Sequence, residues 1–280
     1  EIRLSLVGSE MCIRDSCSGD DISANQRAIA DGMTSAREQG VDLLVLPENC
    51  LVFGPDAAGL AAQHHAQWLT WFAEQARAND LWLLAGTVPL PYRPDGSAVP
   101  NGRVRSACLL FDASGNLVGR YDKRHLFDAQ VGDAQGAYRE SARYEPGTEI
   151  NLLATPWGQL GVLTCYDLRF PEQARALRQA GADIFAVPAA FTAKTGEAHW
   201  QVLLRARAIE NQCMFIGAGQ GGQHSVTRQT WGHSQGIDAW GQVLAERTMT
   251  SQPALVIAEF DCEQQQAWRE QMPVEAHRLD

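Results

Sequence analysis

Short apolar runs alternate with longer amphipathic stretches along most of the chain. The apolar runs predict buried strands at residues 41–46, 81–88, 104–111, 160–164, 183–188 and 213–219. Apolar residues at helical spacing predict helices at residues 22–39, 56–79, 172–181 and 197–212. Further strands are predicted at residues 117–120, 235–237, 243–245 and 254–260. This alternation predicts an α/β fold, with ligand chemistry at the carboxyl ends of the strands.

No linker-like stretch divides the chain, and we interpret residues 1–280 as a single domain. The proline- and glycine-rich segment 89–103 is a surface loop, because strand patterns resume on both sides of it. Residues 1–7 are compatible with a strand, but residues 8–16 (GSEMCIRDS) follow neither period and interrupt it. The latter segment resembles the translation of a sequencing adapter. We therefore interpret residues 5–16 as partly non-native.

Charge and cysteine usage restrict the class of partner. The 280 residues contain 33 acidic and 23 basic side chains, a net charge of −10. This balance argues against nucleic acid or an anionic membrane as partner, and no apolar run reaches the roughly 18 residues that a membrane span needs. No export signal is recognisable. Seven cysteines without CxxC spacing predict cytosolic thiols, and we expect a cytoplasmic protein.

Cys165 is the leading candidate for a nucleophile. It follows the apolar run 160–164, and Pro171 then opens a helix. A strand-to-helix turn exposes the sulfur and supplies backbone N–H groups that stabilise a thiolate or an oxyanion. A lone cysteine is more often a buried small hydrophobe. The following residues are mostly polar, which favours the nucleophile: Tyr166, Asp167, Arg169 and Glu172.

Two other polar residues also stand at the ends of apolar runs. Glu48 follows VDLLVLP, and Lys123 follows NLVGRYD. Taken singly, Glu48 is explained by a loop carboxylate at a helix start and Lys123 by a solvated charge. Together with Cys165 they supply the base, the cation and the nucleophile that a thiol amidase needs.

Three segments resemble the signatures of the nitrilase, or carbon–nitrogen hydrolase, superfamily. They are LPEN (46–49), YDKRHLFD (121–128) and LTCYDLRFPE (163–172), in this order. Residues 188–212 and 231–243 are most similar to the branch that contains deaminated-glutathione amidase and omega-amidase. The resemblance covers the chain from Cys17 to the C-terminus and leaves only the segment at 8–16 aside.

The resemblance implies a four-layer α-β-β-α sandwich and a homodimer that pairs the helical faces. It implies that Glu48 is the general base, and that Lys123 with the backbone N–H of Tyr166 stabilises the oxyanion. Glu140, in YRES, matches a second acid beside the lysine and the substrate. No metal and no organic cofactor are implied. Residues 203–209 and 272–280 are candidate interface segments.

The pocket residues follow from the same resemblance. Phe191 and Thr192 match positions that shape the substrate pocket. Arg169 has two interpretations, a ligand for a substrate carboxylate or a structural partner of Glu172. The substrates that the branch implies, deaminated glutathione and α-ketoglutaramate, are both anionic, so cations such as Arg169 and Lys123 must offset the net negative charge locally.

Several histidines and glycines have weaker interpretations. We expect a structural histidine for His199, at a helix start. The loop that holds His224, Arg228 and His233 faces an anionic substrate or lies at the surface. Residues 219–222 (GQGG) follow a strand but open no helix, which argues against a phosphate site. No HxxxH spacing occurs, which argues against zinc.

The predicted reaction is hydrolysis of the terminal amide of a small α-keto acid amide, to the acid and ammonia, through a cysteine thioester. The resemblance to this branch implies deaminated glutathione as the leading substrate. The alternatives are an omega-amidase acting on α-ketoglutaramate, an acyl transferase, a nitrile hydrolase and a catalytically silent binding protein. The presence of Glu48, Lys123 and Cys165 argues against the silent protein.

Overall fold

A computed structural model describes residues 9–248 and 254–279. The helices are α1 (Ile22–Glu38), α2 (Ala57–Asn79), α3 (Pro171–Gln179), α4 (Ala193–Asn211) and α5 (Cys262–Gln271). Short 3₁₀ helices lie at Glu140–Ala142, Cys165–Arg169 and Glu275–His277. The strands are β1 (Ser9–Asp15), β2 (Leu43–Val45), β3 (Trp82–Leu90), β4 (Arg105–Phe111), β5 (Leu117–Asp122), β6 (Asp128–Gln130), β7 (Ala137–Arg139), β8 (Leu153–Thr155), β9 (Gly158–Val162), β10 (Ile184–Ala189), β11 (Met214–Gly219), β12 (Gly221–Gln223), β13 (Gln229–Trp231), β14 (Gln235–Ile237), β15 (Val243–Glu246) and β16 (Ala254–Phe260).

Two six-stranded sheets form the centre of the molecule. The first has the order β16-β1-β2-β3-β4-β5 and the second the order β15-β14-β11-β10-β9-β8. Each contains three adjacent parallel strands, β1-β2-β3 in the first and β9-β10-β11 in the second. The outer strands of both sheets pair antiparallel. The carboxyl ends of the parallel strands therefore lie at one edge of each sheet.

The sheets pack face to face, with helices on their outer faces. Side chains of β2 show the layering, because Leu43 and Val45 belong to the apolar cluster between the sheets. Leu44, which points the other way, packs in the cluster that α1 and α2 cover. Phe185 of β10 likewise packs in a third cluster, which holds Trp200 of α4. The predicted four-layer α-β-β-α sandwich is confirmed.

The segment at residues 9–15 is a strand, and the prediction that it interrupts one is wrong. It forms β1, which pairs antiparallel with β16 and parallel with β2. Met11 and Ile13 enter the core between the sheets, and Cys12 enters the core on the helical side. Two neighbouring strands therefore fix a segment whose own alternation is too short to predict a strand. Residues 1–7 lie outside the described residues, and the non-native origin of residues 5–16 stays a prediction.

The other predicted elements occur in the structure with shifts of a few residues at their ends. Helix α4 begins at Ala193, earlier than predicted, because the Thr192 hydroxyl accepts a hydrogen bond from Thr195 N and caps the helix. His199 consequently lies inside α4 and not at its start. Five strands of only three residues each were not predicted: β6, β7, β8, β12 and β13. Helix α5 was also missed, because Gln265 is its one fully buried residue and its sequence has no apolar face.

Within residues 9–248 and 254–279, none of the helices has both the length and the apolar character that a membrane crossing requires.

Candidate active site

The predicted catalytic residues meet in one pocket of about 430 Å³. Glu48 follows β2, Lys123 follows β5 and Cys165 follows β9, so the site lies where strands of the two sheets end. Glu140 joins them from the 3₁₀ helix Glu140–Ala142. The predicted substrate residues, Tyr166, Arg169, Phe191 and Thr192, also line this pocket.

Cys165 occupies the first position of a tight turn. Its φ angle of 51° lies in the left-handed region, which costs a non-glycine residue about 1–2 kcal/mol. A capping box offsets part of this cost, since Thr164 N donates to Asp167 Oδ2 at 2.9 Å and the Thr164 side chain bonds back to the turn. The turn buries Cys165 more than its predicted exposure suggested. Only 8% of the residue is accessible, and it lies in the pocket wall.

Asp167 connects this turn to the segment that carries Lys123. Its carboxylate is fully buried and accepts bonds from Tyr121 OH at 2.6 Å and from His125 N at 2.9 Å. The His125 Nδ1 atom lies 2.7 Å from the same carboxylate. Tyr121 and His125 stand two residues before and two residues after Lys123. One buried carboxylate therefore fixes both sides of the lysine relative to Cys165, a role that the sequence did not indicate beyond the polarity of Asp167.

Lys123 is buried between two carboxylates. Its Nζ atom donates to Glu48 Oε1 at 2.7 Å and to both carboxylate oxygens of Glu140 at 2.9 Å. Burial opposes the charged form, but the carboxylates of Glu140 and Glu48 raise the pKa of Lys123 well above its usual value. Lys123 is therefore a fixed cation, and the alternative interpretation of Lys123 as a solvated charge is excluded.

Close approach of the backbone positions Glu48. Gly86 of β3 lies against the segment before Glu48, and a Cβ atom there would stand 1.9 Å from Pro47 O. Only glycine allows this packing. On the other side, Gln220 Nε2 donates to the backbone oxygen of Glu48 at 3.0 Å. The carboxylate is thereby aimed at Lys123 and Cys165.

Glu140 is less buried than Lys123 and Glu48, but most of its side chain is still shielded from solvent. Burial raises the pKa of Glu140, Lys123 opposes that rise, and the nearby Glu48 carboxylate adds to it. The Phe127 N–H donates to Glu140 Oε2 at 2.6 Å. The site thus holds two acidic groups around one ammonium group.

The Cys165 thiol has an environment that favours its protonated form. Burial and the Glu48 carboxylate raise its pKa, whereas Lys123 and the backbone of Ala190 lower it. A hydrogen bond with Glu48 contributes to the rise. In the resting site the thiol is therefore protonated and adjacent to a carboxylate that can accept its proton.

Arg169 does not pair with Glu172 in the part of the chain that the structure describes, so that alternative is wrong. Its guanidinium Cζ lies 5.0 Å from the centre of the Phe191 ring and 5.8 Å from that of Tyr166. Its Nη1 atom lies 3.2 Å from His199 Nδ1. Arg169 is thus a pocket cation that no carboxylate of residues 9–248 and 254–279 neutralises.

Three residues that the sequence placed in one loop separate in the structure: His224 and Arg228 lie between β12 and β13, whereas His233 follows β13. His224 and Arg228 line the pocket, whereas His233 stacks on Trp231 outside it, with ring centres 4.1 Å apart. His224 Nδ1 lies 2.7 Å from Ser18 O and its Nε2 lies 2.6 Å from Thr230 Oγ1. Burial lowers the pKa of His224 to about 4, so the ring is neutral at pH 7.

The pocket is locally positive, as the sequence predicted for an anionic substrate. Its lining has five basic side chains and two acidic ones, in a chain of net charge −10. Arg139 and Arg143 are lining cations that the sequence did not single out, although both flank the predicted Glu140. Among the described residues, no group of three or more His, Cys, Asp or Glu side chains is placed to hold a metal ion.

The four-layer fold and this cluster define a class of hydrolase. The chain belongs to the carbon–nitrogen hydrolase family, whose model matches residues 15–270. The superfamily predicted from the three sequence motifs is therefore confirmed, and with it the prediction of a carbon–nitrogen hydrolase.

Individual members of the family show which of its proteins this chain is similar to. The chain is 42% identical to a deaminated glutathione amidase of Yersinia enterocolitica over 236 residues, covering 82% of this chain and 79% of that protein. It is 37% identical to a deaminated glutathione amidase of Synechocystis sp., covering 92% of this chain and 94% of that protein. The crystal structure of the Caenorhabditis elegans NitFhit protein superposes with a TM-score of 0.86 at 33% identity, covering 98% of this chain and 65% of that one.

Proposed function

We propose that the protein hydrolyses an amide bond of a small anionic substrate through a thioester at Cys165. The observation that carries this proposal is the position of Lys123, whose Nζ contacts Glu48 at 2.7 Å in the pocket that Cys165 lines. A thiol, a carboxylate and a fixed ammonium group in one buried pocket are the parts that nucleophilic acyl transfer needs.

In the proposed first step, Glu48 accepts the Cys165 proton as the sulfur attacks the amide carbon. The negative charge that develops on the carbonyl oxygen is stabilised by the Lys123 ammonium and the Tyr166 backbone N–H, a contribution of about 3–4 kcal/mol for one good donor. The C–N bond then breaks, and Glu48 returns the proton to the departing nitrogen.

In the second step, Glu48 takes a proton from water, which attacks the thioester carbon. Collapse of the tetrahedral intermediate breaks the C–S bond, releases the acid and leaves the Cys165 thiol protonated. Glu140, which shares Lys123 with Glu48, holds the ammonium group in place through both steps. The same site would perform acyl transfer if an amine replaced water.

For the substrate we propose deaminated glutathione. Relatives of that name are 37–42% identical over most of the chain, and the positive pocket suits a molecule with a carboxylate at each end. The scissile amide of this substrate joins an α-keto acid to cysteinylglycine. The group that leaves is therefore the dipeptide, and ammonia is the leaving group only for a primary amide such as α-ketoglutaramate.

Arg169 is the proposed ligand of the keto-acid carboxylate. It stands on the same 3₁₀ helix as Cys165 and beside Tyr166, whose N–H is assigned to the carbonyl oxygen. Phe191 and Thr192 form the adjacent wall, where Thr192 also caps α4. In this arrangement Arg169 would hold the charged end of the acyl group while the Tyr166 N–H holds the oxygen of the reacting carbonyl.

A comparison of two substrates tests the proposal. Purified protein is assayed with deaminated glutathione, followed by release of cysteinylglycine, and with α-ketoglutaramate, followed by release of ammonia. We expect a much higher kcat/KM for deaminated glutathione. The reverse ratio would make the protein an omega-amidase, and turnover that requires an added amine would make it an acyl transferase.

We further propose that the protein is a homodimer that pairs the helical faces of its sheets. Helix α4 presents Val202 and Ile209 to solvent, with 68% and 44% of these residues accessible. The segment from Met272 onward carries a further exposed apolar residue, Leu279. Light scattering of the eluted protein tests this proposal, and a monomer at micromolar concentration would contradict it.

The proposed location is the cytosol. In the part of the chain that the structure describes, Cys50, Cys108, Cys165, Cys213 and Cys262 are free thiols, which suits a reducing compartment. Cell fractionation tests the location, and recovery from a secreted or periplasmic fraction would contradict it.

A further inference from the structure

Arg228 is a second pocket cation that the proposed reaction leaves without a task. It closes the exposed turn between β12 and β13 and reaches back into the pocket. Its guanidinium Cζ lies 4.8 Å from the centre of the Tyr138 ring and 5.5 Å from that of Phe53. Its Nη2 atom donates to Ala190 O at 2.8 Å. These three contacts hold the group in one orientation before any ligand binds.

The charge on Arg228 has no carboxylate partner within residues 9–248 and 254–279. Its Nη1 atom is buried with no acceptor at hydrogen-bonding distance and angle there, although the guanidinium is close enough to act on the Tyr138 hydroxyl and lower its pKa against the effect of burial. An arginine cannot lose its charge at physiological pH, and a buried donor without an acceptor is unfavourable. In the free protein the Arg228 guanidinium therefore keeps an unpaired charge and an unused donor. A carboxylate, which accepts two parallel N–H bonds from a guanidinium, would satisfy both.

Arg228 and Arg169 stand on different elements around the same pocket. Arg169 stands four residues after Cys165 on the same 3₁₀ helix. Arg228 instead belongs to a loop whose neighbours Val226 and Thr227 are exposed, on the wall formed by Phe53 and Tyr138. Since Arg169 is the proposed ligand of the keto-acid carboxylate, Arg228, on another wall of the same pocket, is available for the carboxylate at the other end of the substrate.

We propose that Arg228 binds the terminal carboxylate of the leaving group, so that the site selects amides whose amine half ends in a carboxylate. This inference rests on the proposed amidase function and adds a specificity residue to it. In deaminated glutathione the carboxylate in question is that of glycine, at the opposite end from the keto acid. Arg169 and Arg228 would then hold the two ends of one substrate across Cys165.

A pair of substrates isolates this contact. One is deaminated glutathione, and the other is the same molecule with its glycine carboxylate converted to a primary amide. Both are assayed with the wild-type protein and with Arg228→Gln, Arg228→Lys and the control Arg27→Gln. Arg27 is an exposed residue of α1 outside the pocket. Thermal unfolding of each variant is recorded in parallel.

We expect Arg228→Gln to raise KM for deaminated glutathione about 10- to 100-fold, the usual range for loss of a charge-assisted bidentate contact. The amidated substrate should change by less than about 3-fold, because it never makes that contact. Arg228→Lys, which keeps the charge without the planar fork, should give an intermediate KM, and Arg27→Gln should match the wild type.

Equal losses on the two substrates would overturn the assignment, as would an unchanged KM in Arg228→Gln. Equal losses with a lowered unfolding temperature would identify Arg228 as a structural residue of the hairpin. A wild-type protein inactive on both substrates would instead overturn the proposed function, and this outcome is distinct from the others.

Discussion

Lys123 Nζ lies 2.7 Å from Glu48 Oε1, although 75 residues separate the two along the chain. The same nitrogen contacts Glu140 at 2.9 Å, so one buried ammonium group joins two carboxylates at the ends of separate elements. Because a buried charge is stable only when it is paired, this contact fixes the distance between the predicted base and the predicted oxyanion cation. Cys165 lies in the same pocket, on the other sheet.

Replacing Glu48 by glutamine should separate catalysis from thiol reactivity. The change removes the proton acceptor, so kcat should fall by about 10²–10⁴-fold, the range for general acid–base catalysis. It also removes the negative charge that raises the pKa of Cys165, so Cys165 should be alkylated at a lower pH than in the wild type. Peptide mapping of iodoacetamide-treated protein across pH measures the second effect. An unchanged alkylation profile would show that Glu48 does not act on the thiol.

Replacing Arg169 by alanine should weaken binding of every substrate that carries the keto-acid carboxylate. Loss of one charge-assisted contact should raise KM about 10- to 100-fold for both deaminated glutathione and α-ketoglutaramate. Steady-state kinetics on the two substrates measure this, with a urea unfolding curve as the control for folding. Wild-type kinetics in Arg169→Ala would remove the residue from the substrate site.

Replacing Asp167 by asparagine should lower both stability and activity. The buried carboxylate accepts from Thr164 N, Tyr121 OH and His125 N. An amide can satisfy only part of this set, and we expect the free energy of unfolding to fall by about 2–4 kcal/mol. Denaturant titration gives the loss, and kcat measured well below the unfolding midpoint shows whether Lys123 and Cys165 have also moved. A variant as stable and active as the wild type would contradict the structural role.

His224 should make the protein less stable in mild acid. Burial lowers its pKa to about 4 in the folded state, whereas the unfolded value is about 6.5, so the unfolded chain binds the proton more readily between these values. The contribution of neutral His224 to the free energy of unfolding is therefore fully present above pH 6.5 and is lost as the pH decreases toward 4. At pH 5 the loss from this one group is about 2 kcal/mol.

The matched variant for this measurement is His224→Gln, which does not titrate. The difference in unfolding free energy between pH 7 and pH 5 should be smaller in the variant by about the same 2 kcal/mol. Equal pH dependence in the two proteins would contradict the assignment to His224. Other groups that titrate in this range contribute to both proteins and cancel in the comparison.

The sequence predicted the elements that bury continuous apolar runs. Residues 43–45 and 184–189 read as strands because both of their faces are covered, one by the second sheet and one by helices. Polar strands such as β6 and β7 have no such pattern, and tertiary contacts alone define them. Strand β1 is the clearest example, since its pairing with β2 and β16 makes it a strand although its own residues do not predict one.

The catalytic cluster was predictable because its residues follow strands and resemble family motifs. The side-chain contacts that hold this cluster in place were not predictable from the sequence. Asp167 was noted only as a polar neighbour of Cys165, and its bond to Tyr121 spans 46 residues that no local pattern relates. The positions of Tyr138 and Phe53 opposite Arg228 likewise depend on packing between separate loops. Long-range side-chain geometry of this kind is set by the fold as a whole.

The proposed mechanism depends most directly on Cys165 as the nucleophile. The decisive measurement is cleavage of deaminated glutathione by Cys165→Ala and by the wild type, followed as free cysteinylglycine and corrected for the fraction of folded protein. We expect the variant to lose at least about 10⁴-fold in kcat/KM, because no other group can form the thioester. Cleavage by folded Cys165→Ala at a rate near that of the wild type would contradict the account.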